Sequence, residues 1–312
     1  MAVTKREFKV LSSDKKHKLA GVIYLPEGEA KGFFHIVHGM TEYMGRYERF
    51  MQDMAASGWI CFGYDHLGHG HTAIDDRELG YIAKKDGWKI LVKDVEVFAE
   101  AVFAEYGGRR AGMPYCLMGH SMGSFIVRLA AEMYVKPDRL IIMGTGGSNP
   151  LSPAGIALAE TVKLFKGDKH ISKLVGDLAF KDYNSKFADE LKNAPAPWIT
   201  TNFDVRKKYA ADKFCTFKFT VSAMCDLFRL LQYSNRGAWY KKLSADIPVL
   251  LVSGEDDPVG NYGKGVFEVY QKLKANSARA RVDCILYEGA RHEILNDFTY
   301  GTVKKDIIEF CK

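Results

Sequence analysis

The sequence predicts an α/β fold: a mostly parallel, eight-stranded sheet flanked by helices, with a helical cap insertion. Three observations lead to it. Six short, mostly apolar runs end mainly in Gly, Asp or His, the pattern of strands buried on both faces. Segments with apolar residues at helical spacing lie between them. One long stretch, 149–242, breaks the alternation before it resumes at Pro248.

The chain opens on an antiparallel pair. Runs 7–12 and 18–24 flank Ser13-Asp14-Lys15-Lys16, which is turn chemistry. The apolar runs follow at 32–37 (GFFHIV), 59–64 (WICFGY), 114–118 (PYCLM), 140–143 (LIIM), 248–253 (PVLLVS) and 282–287 (VDCILY). Helical stripes separate them. Residues 47–57 carry Phe50, Met51, Met54 and Ala55. Residues 88–106 carry Leu91, Val95, Phe98, Val102 and Phe103, and 124–134 carry Phe125, Leu129, Ala130 and Met133. Segments 266–273 and 303–310 have similar stripes. Strands alternating with helices make a mainly parallel sheet covered on both faces. Within 149–242, helical pieces at 154–165, 186–192 and 221–232 are separated by loops such as Asn193-Ala194-Pro195-Ala196-Pro197. We expect residues 1–148 and 243–312 to form the core, and 149–242 a helical cap or lid.

Composition excludes several classes. The chain has 312 residues, 47% hydrophobic and 26% charged, which is ordinary for a folded chain with a well-buried core. The net charge of +6 comes with no Lys/Arg-rich block, so no nucleic-acid partner is expected. No apolar run reaches the roughly 18 residues that span a bilayer. The first residues, Met1 to Val10, are charged and alternating, without a signal-peptide core. A cytoplasmic protein with no integral membrane segment is the expectation. Cys61, Cys116, Cys215, Cys225, Cys284 and Cys311 are scattered, with no CxxC. They read as small hydrophobes and not as a disulfide framework.

The most specific signal is Gly119-His120-Ser121-Met122-Gly123, a G-x-S-x-G between a strand and a helix. That context makes it a nucleophile elbow: a sharp turn lifts the serine hydroxyl above the sheet. A serine hydroxyl needs an oriented base. With this elbow, an acid should follow a later strand and a histidine should come last. Gly254-Glu255-Asp256-Asp257-Pro258-Val259 follows run 248–253, and His292 follows the last strand as the only histidine beyond residue 170. Asp257, three residues after the glycine and just before a proline, is favoured over Asp256, and Glu255 reads as solvated. The oxyanion needs two donors. The N–H of Met122 supplies one, and the N–H of Met40, in His38-Gly39-Met40 after run 32–37, the other. His38 itself reads as structural. The His66, His69, His71 cluster beside Asp65 reads as a Gly-rich loop with locally bonded imidazoles. No metal is expected there, and the hydrolytic set needs no cofactor.

Together these motifs resemble the α/β-hydrolase superfamily, in particular its monoacylglycerol lipases and bacterial lysophospholipases. HGMTEYMGRYERF (38–50), GYDHLGHGHT (63–72), GHSMGS (119–124), GEDDPVG (254–260) and EGARHE (288–293) carry the likeness, and segment 197–231 resembles that group's cap. The resemblance implies a serine hydrolase with Ser121 as nucleophile, Asp257 as acid, His292 as base, and Met40 and Met122 as oxyanion donors. Tyr43 departs from the pattern, because many members carry His there.

The insertion bears on substrate. Residues 150–242 hold sixteen Lys/Arg and nine Asp/Glu, a net +7. They also carry Phe214, Phe217, Phe219, Met224 and Phe228, which are candidates to line an acyl pocket. An apolar cap suits an acyl ester or lipid, and a basic surface suits transient contact with an anionic membrane surface. The alternative is that these apolar groups are the cap's own core. A short-chain carboxylesterase, a thioesterase, or a non-catalytic ligand-binding protein on the same fold are the competing readings. A peptidase is disfavoured because HGMTE lacks the HGGPG-like pattern of proline iminopeptidases. Serine at the elbow excludes a dehalogenase.

Overall fold

Strands β1 (Thr4–Leu11) and β2 (Lys18–Leu25) pair antiparallel, from Thr4 opposite Leu25 to Leu11 opposite Lys18. The turn between them is held by Asp14, whose Oδ1 accepts the N–H of Lys16 (2.8 Å) and of His17 (3.0 Å). These are the first elements of a computed structural model that describes residues 3–107, 112–192, 194–275 and 281–312. Met1 and Asn193, named above, lie outside the described residues. Strands β3 (Gly32–Val37), β4 (Trp59–Tyr64), β5 (Tyr115–His120), β6 (Arg139–Met143), β7 (Val249–Gly254) and β8 (Val282–Tyr287) complete one sheet, ordered β1-β2-β4-β3-β5-β6-β7-β8. From β4 to β8 all neighbours are parallel. Every residue of β3, β4, β5 and β7 is buried, whereas β8, at the edge, is partly exposed.

Helices α1 (Glu48–Ala56), α2 (Gly87–Tyr106) and α3 (Met122–Met133) alternate with strands. Among the described residues, six α-helices lie between β6 and β7: α4 (Ser152–Lys166), α5 (Lys173–Phe180), α6 (Phe203–Ala211), α7 (Lys213–Thr216), α8 (Val221–Ser234) and α9 (Gly237–Lys242), with a 3-10 helix at Ser185–Lys192. Helices α10 (Lys264–Lys274) and α11 (Tyr300–Cys311) close the order. Successive strand residues face opposite sides, so Phe33 and Phe34 enter two different cores. Phe34, Cys61 and Met118 pack with Phe50 and Met54 of α1 and Ile307 and Phe310 of α11. Phe33, Phe62 and Leu117 pack with Leu91 and Val95 of α2, Ile126 of α3 and Val266 of α10. Each such Val, Leu, Ile, Phe or Met contributes roughly 1.5–3 kcal/mol by leaving water. All six cysteines are free thiols, five of them buried. Among the described residues, no helix is long and apolar enough to cross a membrane.

The segment between β6 and β7 is packed onto the body. Helix α8 packs on α3 and α2, and its Val221, Ala223, Cys225 and Leu230 belong to the same core as the sheet. Helices α5, α6, α7 and α9 were not expected from periodicity. Three of them start at side-chain caps: Ser172, Asn202 and Asp212 each accept a hydrogen bond from the first-turn backbone.

Candidate active site

Strand β5 ends at His120 and α3 begins at Met122, so Ser121 alone makes the turn. Its backbone sits at φ 55°, ψ −122°, a region that costs a non-glycine residue about 1–3 kcal/mol. Hydrogen bonds hold it there, from Ser121 N–H to Met143 O (3.0 Å) and from Ser124 N–H to Ser121 O (2.8 Å). Both glycines of the motif are required by contact. A Cβ on Gly119 would lie 2.3 Å from Gly123 O, and one on Gly123 would lie 2.0 Å from Val37 O. The same close packing presses the turn after β3 onto the serine, because a Cβ on Gly39 would lie 2.8 Å from Ser121 Cβ.

Asp257 is fully buried after β7. Its Oδ1 accepts the N–H of Val259 (2.9 Å), and its Oδ2 accepts the Ser253 hydroxyl (3.2 Å) and lies 2.9 Å from His292 Nδ1. A carboxylate at Nδ1 keeps the proton on that nitrogen and leaves Nε2 as the acceptor. Asp256 is bonded to Lys186 instead, and Glu255 is exposed. The backbone around His292 is tied to the inserted segment. His292 N–H donates to Trp198 O (3.4 Å), and Glu293 N–H donates to Ile199 O (2.7 Å). The Trp198 ring packs on the His292 ring at 5.1 Å. Arg291 donates to Glu190 (3.0 Å) and to Pro197 O (2.7 Å), with its guanidinium over Phe187 at 3.9 Å.

Ser121, His292, Met40 and Met122 line one cavity of about 670 Å³. Its wall is mostly apolar, with Phe125, Leu178, Phe180, Leu227, Phe228 and Leu231. Glu42, Tyr209 and Glu293 add polar groups. Arg46 pairs with Glu293 (2.7 Å) and stacks on Tyr209 (4.9 Å). Burial works against the charge of Glu42, but His120 and Arg46 hold its carboxyl well below the usual range. Sequence reasoning missed Trp198, Tyr209, Arg46 and Arg291, whose partners lie far along the chain.

Four of the five cap candidates lie elsewhere. Only Phe228 lines the cavity. Phe214 packs on Tyr43 (5.3 Å) and His71 (4.9 Å). Phe217 and Phe219 pack on His69 at 5.2 and 5.4 Å. Met224, one turn before Phe228 on α8, is buried in the core. Their apolar surface glues the insertion to the body, and Leu227 and Leu231 fill the wall in their place. Tyr43, the departure from the family pattern, donates to Asp212 (2.9 Å) and so also joins the two parts. The histidine-rich loop is held by its backbone. His66 Nε2 lies 3.1 Å from His38 O, His69 Nδ1 lies 2.9 Å from Leu67 O, and His38 Nε2 accepts the N–H of His66 (2.9 Å). Burial lowers the proton affinity of all three rings. His71 is exposed.

The sheet order, the strand–serine–helix turn and the Asp257–His292 pair define a class, the serine hydrolases of the α/β-hydrolase superfamily. Comparison with known proteins agrees. Residues 28–299 match the family model described as serine aminopeptidase, S33, and the chain belongs to that family. It is 25% identical to human monoglyceride lipase over 273 residues, which are 86% of this chain and 77% of that protein. It is 24% identical to a monoacylglycerol lipase of Mycolicibacterium smegmatis over 188 residues, 55% of this chain and 62% of that one. In structure it is similar to a thermostable carboxyl esterase from Bacillus coagulans crystallised with glycerol: TM-score 0.89 and 26% identity, covering 100% of this chain and 98% of that one. The fold is shared with a soluble variant of the Saccharomyces cerevisiae monoglyceride lipase: TM-score 0.75 and 20% identity, covering 99% and 95% of the two chains. The protein is therefore a serine hydrolase similar to lipases and esterases.

Proposed function

We propose that the protein hydrolyses monoacylglycerols, lysophospholipids or related acyl esters through an acyl-enzyme on Ser121. His292 Nε2 takes the serine proton as Oγ attacks the ester carbonyl. Asp257 fixes the tautomer and steadies the imidazolium. The N–H groups of Met40 and Met122 bind the oxyanion. His292 then passes the proton to the departing alcohol, and water repeats the sequence on the acyl-enzyme. The segment 149–242 acts as the cap over a core made of 1–148 and 243–312. The observation that carries this reading is the Asp257–His292 hydrogen bond beside the apolar-walled cavity that also contains Ser121. The likeness to lipases of monoacylglycerol supports the substrate class.

Likeness to a carboxyl esterase favours a second reading, short-chain esters. A series of monoacyl esters from acetyl to oleoyl separates the two. With each buried methylene worth about 0.8 kcal/mol, kcat/KM is expected to rise at least about tenfold from butyryl to lauroyl. Turnover confined to acetyl and butyryl esters overturns the lipase reading.

The basic cap also supports contact with a lipid surface. Leu164 and Phe165, in the last turn of α4, are 79% and 80% exposed, and Leu151, Ile171 and Leu174 of the same inserted segment are exposed as well. Lysines 163, 166, 169 and 173 lie in the same stretch. Leu151 and Leu178 are exposed and also line the cavity. The insertion thus exposes apolar side chains both at the cavity and at the end of α4, and the lysines suit an anionic surface. The double variant Leu164→Asp, Phe165→Asp is expected to lose about tenfold or more of its cosedimentation with phosphatidylglycerol vesicles. It should hydrolyse a water-soluble acetyl ester at the original rate. Unchanged sedimentation rejects this contact.

A further inference from the structure

His120, the residue before Ser121, is buried, and both of its ring nitrogens face acceptors. Nε2 lies 3.2 Å from the backbone carbonyl oxygen of His292. A carbonyl has no proton to give, so Nε2 carries one. Nδ1 lies 3.0 Å from Glu42 Oε1 and 2.8 Å from the Tyr47 hydroxyl oxygen. A carboxylate oxygen can only accept and is a stronger acceptor than an imidazole nitrogen, which directs the single proton of Tyr47 to Glu42 Oε1 (2.9 Å). Nδ1 is then left to donate as well. An imidazole that donates from both nitrogens is an imidazolium.

We propose that His120 is protonated at neutral pH, and that its buried pair with Glu42 positions both halves of the catalytic apparatus. Glu42 Oε1 also accepts the N–H of Gly39, which sets the turn carrying the Met40 N–H. His120 holds the carbonyl of His292, and the two rings lie 4.7 Å apart. One carboxylate thus ties the oxyanion turn to the loop of the general base. Glu42 and His120 are positioning residues, and the proposal rests on the roles assigned above to Met40 and His292.

The groups around His120 are Glu42, Arg46 and Tyr47 from the segment after β3, Glu293 and His292 from the last loop, and His38. Burial disfavours the imidazolium, but the carboxylate of Glu42, helped by Glu293, outweighs it and raises the proton affinity of His120 above that of an ordinary imidazole. A raised folded-state pKa fixes the sign. The pair is complete below the ordinary imidazole range and is lost as pH rises through that raised value. In Glu42→Gln the loss should move to lower pH.

The test is nitrogen NMR of the protein labelled with 15N-histidine, with the His120 signals assigned by their absence in His120→Gln. At neutral pH both nitrogens of wild-type His120 are expected to be protonated, and in Glu42→Gln only one. Glu42→Gln should also lower kcat by about 10- to 100-fold with KM within about threefold, the scale of a misplaced catalytic group. A neutral wild-type His120 at neutral pH overturns the proposal, even when Ser121 reacts normally with a fluorophosphonate. A charged His120 in a protein whose Ser121 does not react supports the pair and overturns the hydrolytic role of Ser121 instead. The wild-type spectrum decides by itself if Glu42→Gln does not fold.

Discussion

Ser121→Ala is expected to lower kcat for an ester substrate by about a million-fold, the scale found when a triad nucleophile is removed. The loss should be confined to chemistry. Alanine fits the space of serine, and the bonds that hold the turn come from the backbone of Ser121 and from Ser124, not from the Ser121 hydroxyl. Binding of a non-hydrolysable ether analogue should therefore stay within about twofold, because truncating a nucleophile removes transition-state stabilisation and not ground-state contact. Activity near that of the parent would remove Ser121 from the mechanism.

The second large effect separates two neighbouring carboxylates. Asp257→Asn is expected to lower kcat by about 10⁴-fold, because an amide can present its NH₂ to His292 Nδ1 and shift the ring proton to Nε2. A base with its proton on the wrong nitrogen cannot accept one from serine. Asp256→Asn breaks only the pair with Lys186, in which the lysine is 49% and the aspartate 26% exposed. Partly exposed pairs of this kind contribute about 0–1 kcal/mol, so kcat should change by less than about twofold. Steady-state kinetics on both variants, side by side, make the comparison. Equal losses would mean that the buried hydrogen bond to Asp257 is not the one that orients His292.

The sequence revealed most clearly what is local or periodic. The mostly apolar runs became the buried strands β3 to β7, and the elbow was readable because glycines, serine and flanking elements are contiguous. Order along the chain then pointed to Asp257 and His292. Less visible was everything made by distant pairs. Glu190 and Arg291 are 101 positions apart, and no local pattern announces that they meet. Helices α6 and α7 begin at Asn202 and Asp212 and depend on caps more than on an apolar stripe. The aromatic residues of the insertion were visible as a group, but composition could not assign their faces. Phe214, Phe217 and Phe219 turn toward His69 and His71 of the loop after β4, and α8 presents Leu227, Phe228 and Leu231 to the cavity. His120 was read only as the variable position of a motif, because its meaning lies in what its two nitrogens face.

The carbonyls of Trp198 and Ile199 belong to the inserted segment, yet they hold the backbone of His292 and Glu293. The part that shapes the pocket and the loop that carries the proposed base therefore share a seam. Exchanging the whole insertion for that of a relative would replace this seam together with the pocket wall. A chimera that keeps 185–201 native and exchanges only the wall of α4, α5 and α8 is expected to alter selectivity while the seat of His292 stays in place. In this fold, what can be exchanged begins where the inserted chain no longer touches the last loop.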